Sequence, residues 1–141
     1  MKWLKAKALL ARGLSASDWL ALLEAWWTLL FYSLALRWMS YDRLDHNFEN
    51  GNYDSAIAER LHCLVMWASH LHPLPITCLV QACALHCMAG RRGVDARVCI
   101  GVLKTPTRIQ AHAWVEVDGQ VVGQPEGVAE RFSILTRPSQ L

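Results

Sequence analysis

The stretch Pro75-Ile76-Thr77-Cys78-Leu79-Val80-Gln81-Ala82 decides how the chain is read. A proline and a threonine stop one segment, and an apolar, helix-forming run begins at the cysteine. Threonine is a good N-cap, so Thr77 places Cys78 in the first turn, among backbone N–H groups that have no intrahelical acceptor. Those groups and the helix dipole favour a thiolate over a thiol. The stretch is a mounting for a nucleophile. Downstream, Ala111-His112-Ala113-Trp114-Val115-Glu116 sets a histidine in a strand-like run.

With 141 residues the chain is expected to form one domain, residues 1–141, large enough to bury a core. Hydrophobic residues make up 53% and charged residues 18%, a globular rather than disordered balance. A net charge of +2, with no like-charge block longer than Arg91-Arg92, argues against nucleic acid as a partner. The five cysteines (63, 78, 83, 87 and 99) are odd in number and lack the paired spacing of a disulfide framework. The opening MKWLKAKALLARG has no sustained apolar region and no small-residue cleavage site. Reduced thiols in a cytoplasmic setting are therefore expected.

Residues 1–12 mix Lys2, Lys5, Lys7 and Arg12 with Trp3, Leu4, Leu9 and Leu10, and read as a frayed surface helix or, as the second choice, as a short amphipathic helix lying on a partner or an acidic surface. Residues 17–39 are the most apolar run, with Ser17 as the expected N-cap and Asp18 and Glu24 toward the favourable dipole end. Its length approaches that of a membrane span. Glu24 and Arg37 interrupt it, so membrane contact is not expected and the run reads as a helix buried nearly all round or capped by a partner protein. Residues 40–53 are a polar loop with a turn at Asn50-Gly51-Asn52. Helical periodicity returns at Ile57, Leu61, Leu64, Val65, Ala68 and Leu71, capped by Asp54 or Ser55. Pro73 and Pro75 end it, leaving His70 and His72 as exposed loop residues.

The Cys78 helix is predicted to run to about Ala89 and to stop at Gly90, with Arg91 and Arg92 at its negative end. Val94–Leu103 and Ala111–Val122 are valine-rich and alternate, as strands do. The fold class is therefore α+β: N-terminal helices, then a nucleophile-bearing helix on a small antiparallel sheet. Residues 1–72 form a helical part that packs on the core and docks partners, and residues 73–141 form the catalytic core.

Strand alternation puts His112, Trp114 and Glu116 on one face. The turn at Asp118-Gly119 decides what lies across from His112. A two-residue turn pairs it with Pro125; a three-residue loop over Val117-Asp118-Gly119 with a bulge pairs it with Gln124. Gln124 offers a side chain that hydrogen-bonds the imidazole and fixes its tautomer, as a cysteine–histidine nucleophile requires.

Three motifs together, TCLVQACAL (77–85), GRRGVDARVCIGV (90–102) and AHAWVEVDGQVV (111–122), resemble the leader peptidases of lasso-peptide biosynthesis. These belong to the transglutaminase-like and papain-like cysteine protease superfamily. The apolar helical N-terminal part and the tail VAERFSIL (128–135) are similar too. The resemblance implies a hydrolase without a cofactor, a cysteine protease that cuts the leader from a ribosomally made precursor peptide. It implies as partners the precursor, a small leader-recognition protein and an ATP-dependent lasso cyclase. Carried over by position, Cys78 matches the nucleophile and His112 the general base. The third member, an aspartate in the family, falls on Gln124. An amide orients an imidazole but does not stabilise the imidazolium by charge. Glu126 is the alternative carboxylate, and Glu116 and Asp118 are further ones, although Asp118 is better explained as a turn residue. Gln124 also motivates the alternative of a non-catalytic scaffold that keeps the fold and binds the leader–recognition complex.

Cys63, Cys83, Cys87 and Cys99 read as inert core residues. The Cys83-x3-Cys87 spacing has no second clustered pair of the kind a structural zinc site uses, so no metal site is assigned.

Overall fold

The structure is a computed structural model that describes residues 13–39, 53–123 and 127–136. The amphipathic reading of residues 1–12 and the loop turn at Asn50-Gly51-Asn52 lie outside the described residues, as do Gln124, Pro125 and Glu126.

Helix α1 spans Ala16–Trp38. Its cap is Ser15, not the expected Ser17, because Asp18 stands three residues on and completes a capping box. The Ser15 hydroxyl accepts the Asp18 N–H at 3.2 Å, and the Asp18 carboxylate accepts the Ser15 N–H at 3.0 Å. Asp18 also pairs with Arg60. Helix α2 spans Ser55–Leu71, capped by Asp54, whose carboxylate accepts from the N–H groups of Ala56 and Ile57. Helix α3 spans Cys78–Arg91. It passes the predicted stop at Gly90, since the left-handed residue that ends it is Gly93 (φ 75°).

α3 lies between the sheet and the other two helices, so the chain forms a sheet layer, a central helix and an outer helix pair. That position explains why α3 is apolar nearly all round: Val80 and every residue from Ala82 to Ala89 are buried. Small residues at the contacts (Ala21 and Ala25 on α1, Ala58 and Ala68 on α2, Ala84 and Ala89 on α3) let the helices approach closely. Arg91 and Arg92 of α3 hold Glu24 of α1, with Arg92 Nη2 to Glu24 Oε2 at 2.7 Å.

The helix α1 is not buried all round. Its inner face carries Ala21, Leu22, Ala25, Leu29 and Tyr32, whereas Trp19, Leu23, Trp27 and Phe31 face outward. Nothing among the described residues packs on that side, because α1 is the outermost layer. His72 is a second departure. It is buried rather than exposed, its ring tilted against Trp26 with centres 4.8 Å apart and accepting the Leu74 N–H at 3.2 Å on Nδ1. This anchors the α2–α3 connection that leads into Cys78. His70 is exposed as expected, but in the last turn of α2 rather than in the loop.

The antiparallel sheet holds β1 (Ala96–Lys104), β2 (Ile109–Val117), β3 (Gln120–Val121) and β4 (Ser133–Thr136) in the order β3-β2-β1-β4. A short helix α4, Val128–Arg131, precedes β4. Two faces result. Ala96, Val98, Ala113, Val115 and Val117 join the main core under α3, while Cys99 and Trp114 form a second cluster on the far face with Val121 and Phe132. The fold is α+β, as the order of patterns implied.

Candidate active site

Cys78 is the first residue of α3, half-buried at the edge of the main core. Thr77 supplies the cap the sequence calls for: its hydroxyl accepts the Val80 N–H at 3.4 Å and its carbonyl accepts the Gln81 N–H at 3.1 Å. The two bonds start at Val80, so the N–H groups of Cys78 and Leu79 point out of the helix end.

His112 sits near the start of β2, opposite Gly101 of β1. The topology brings this position to the same end of the layer as Cys78. The His86 ring of α3 bonds the Ala96 carbonyl at 2.6 Å, fixing where helix and strand meet. From His86 back to Cys78 the helix rises ~12 Å. From Ala96 onward, β1 covers ~17 Å to Gly101. The chain reverses between them, so both paths run to one end.

The imidazole itself leaves β2 on the far face of the sheet. It stacks over Trp114 (ring centres 6.1 Å apart, 26° between planes) and against Phe132 at 5.4 Å. No hydrogen bond joins it to Cys78. Trp114 is locked in turn by Glu116, whose carboxylate accepts the indole N–H at 3.0 Å in a buried setting. Glu116 thus holds the indole on which His112 is stacked.

Two residues that sequence reasoning passed over complete this support. A methyl group on Gly101 would stand 2.6 Å from Phe132 Cβ and 2.8 Å from Trp114 Cη2, so only glycine lets the indole lie across β1. A lone glycine in a valine-rich strand was the available signal. Phe132 had none beyond its place in the family-like tail, because its contact depends on the pairing of β4 with β1.

The turn resolves the two hairpin alternatives in favour of the shorter. Val117 pairs with Gln120, and Asp118 (φ 52°) and Gly119 (φ 73°) occupy the left-handed positions of a type I′ turn. Asp118 is a turn residue. This register, prolonged, sets Pro125 and not Gln124 across from His112. Among the described residues the last rung is Val122, which donates to the Val115 carbonyl at 2.9 Å, and Gly123 donates to Glu59 of α2 at 3.1 Å. A side chain at Gly123 would run into the His62 ring.

Cys83, Cys87 and Cys99 are buried and Cys63 half-buried. Burial, and then the neighbouring thiols of Cys87 and Cys83, raise the Tyr32 hydroxyl above its ordinary pKa. Among the described residues no group of three or more His, Cys, Asp or Glu side chains is arranged to hold a metal ion.

A helix that presents a cysteine at its first turn, laid on an antiparallel sheet that carries a histidine at the same end, defines a class. The family model for the transglutaminase-like superfamily matches residues 19–137, and the chain belongs to that superfamily. Over 66 residues it is 33% identical to the microcin J25-processing protein McjB of Escherichia coli. That match covers 47% of this chain and 31% of McjB, so the likeness spans about a third of the relative's length. No solved structure gives a significant match.

Proposed function

We propose that the protein is a cysteine peptidase that removes the leader from a ribosomally made lasso-peptide precursor. The observation that carries this is Cys78 at the capped start of α3, in a chain of the transglutaminase-like superfamily that is similar to a microcin-processing protein. The Cys78 thiolate attacks the carbonyl at the leader–core junction, and His112 takes the thiol proton and returns it to the leaving amine. Water then releases the acyl-enzyme. The N–H groups of Cys78 and Leu79 are the natural donors to the oxyanion. Gln124, or Glu126 in its place, is assigned the role of orienting His112 by its position in the family pattern, not by the hairpin register. The enzyme works in the cytoplasm with a leader-recognition protein and a lasso cyclase.

Proton transfer needs the imidazole within about 3 Å of the Cys78 sulfur, so the proposed reaction requires the ring to leave its stack on Trp114 and Phe132 and turn toward the start of α3. The test is cleavage of the precursor in the presence of the recognition protein, followed by mass spectrometry. Wild type releases intact leader and Cys78→Ala releases none. Equal cleavage by both would refute the peptidase. No cleavage by either, with the precursor complex still bound, would favour the scaffold.

A further inference from the structure

The outer face of α1 is an uninterrupted apolar stripe. Between Asp18 and Leu36 every exposed residue is large and apolar: Trp19 (60%), Leu20, Leu23 (56%), Trp27 (59%), Phe31 (58%) and Leu34. Trp38 continues it at 87% exposure, and the helix is ~35 Å long. Soluble proteins rarely leave so long an apolar face uncovered.

The residues that argued from sequence against membrane contact do not interrupt the stripe. Glu24 turns inward to Arg91 and Arg92, Asp18 turns inward to Arg60, and Arg37 stands at the C-terminal end. By length and composition the helix is apolar enough to cross a membrane, yet a third of its apolar window is buried inside the domain. A helix fixed to its domain along one side does not span. It lies flat.

We propose that this face is a docking surface for an anionic lipid membrane, with α1 parallel to the bilayer and its stripe sunk to the headgroup–acyl boundary. Charge supports the choice of partner. Residues 1–17 contain Lys2, Lys5, Lys7 and Arg12 and no acidic residue, and the acids Asp42, Asp45 and Glu49 come only after the helix. An apolar Trp/Leu/Phe face preceded in sequence by basic residues fits the pattern of an interfacial helix. The side chains favour lipid over a protein groove as well. From Trp19 to Leu34 the exposed face offers no hydrogen-bonding group except the indole N–H of Trp19 and Trp27. Such groups sit comfortably at headgroup level but give a protein partner little to set its register.

The experiment is sedimentation of the full chain with vesicles of phosphatidylcholine alone or with 30% phosphatidylglycerol (about the anionic fraction that gives a surface potential of tens of millivolts). The wild type binds the anionic vesicles, and added salt weakens it. The exposed double substitution Trp27→Glu/Phe31→Glu, checked for an unchanged melting curve, lowers the partition coefficient ~100-fold. Each of Lys2→Gln, Lys5→Gln and Lys7→Gln lowers it about fivefold. Absence of binding by the wild type, or binding that survives the double substitution, overturns the proposal. So does a wild-type dimer that the double substitution dissociates without any vesicle binding, which would make the stripe a contact between copies. Because the readout is partitioning, it stands or falls separately from peptidase activity.

Discussion

Cys78 and His112 are held by opposite means. Cys78 is placed by backbone: a threonine cap, a proline before it and the first turn of a buried helix. His112 is placed by side chains: an indole beneath it, a phenyl ring beside it, a buried carboxylate behind the indole and a glycine that makes room for the indole. A backbone mounting tolerates changes around it, because helix geometry does not depend on one neighbour. A packed mounting passes every disturbance on to the ring it supports. Substitutions on the far face of the sheet should therefore cost more than substitutions at the start of α3.

The largest effect is expected for Trp114→Ala, which removes the floor under His112. It should lose about 3–5 kcal/mol in denaturant unfolding. Gly101→Ala should cost about 2 kcal/mol by overpacking against Trp114 and Phe132 and should lower precursor cleavage by more than its stability loss explains. Gly101→Ala with wild-type stability would show that the indole does not need the space over β1. Trp114→Phe keeps most of the ring but strands the Glu116 carboxylate, at a cost of about 1–3 kcal/mol. Restoring part of that loss with Glu116→Gln would sharpen the assignment of Glu116 as a support for the indole. Thr77→Ala, on the other side of the comparison, should cost about 1 kcal/mol, the usual value of an N-cap.

The smallest effect concerns Glu24. Burial pushes its carboxyl up, but the hydrogen bonds and charges of Arg92 and Arg91 outweigh this and hold it below the ordinary 4.5. A depressed folded pKa stabilises the fold above the unfolded value and loses that contribution as pH falls through the folded one. Wild type should exceed Glu24→Gln by no more than about 1 kcal/mol, steadily above pH 4.5, with the gap closing below it. A gap that instead widens in acid would contradict the ion-pair assignment.

How far each mounting can be read from sequence follows from the same contrast. The Cys78 site is local, since proline, threonine and the apolar run after Cys78 are contiguous, and both the helix and its cap appear where expected. The valine-rich strands and the Asp118-Gly119 turn are legible for the same reason. What surrounds His112 is not local. Its neighbours come from β1, from its own strand and from Phe132 beyond the hairpin, and only the pairing of strands brings them together. β4 is four residues long and carries no strong strand pattern of its own, so its place beside β1 was not foreseen. The apolar run of α1 is legible as a helix, and burial nearly all round is the part of its reading that the structure overturns. Composition measures how apolar a helix is, whereas the exposure of Trp19, Trp27 and Phe31 depends on which layers the rest of the chain supplies.

In the proposed mechanism Cys78 and His112 act as one unit although the two are mounted independently. Cleavage of the precursor by Cys78→Ala, His112→Ala and the double variant, each with the recognition protein present, tests it most directly. Groups that share one step are strongly non-additive. Both single variants and the double variant should fall to the same floor. Retention of activity by His112→Ala, or losses that multiply in the double variant, would contradict it.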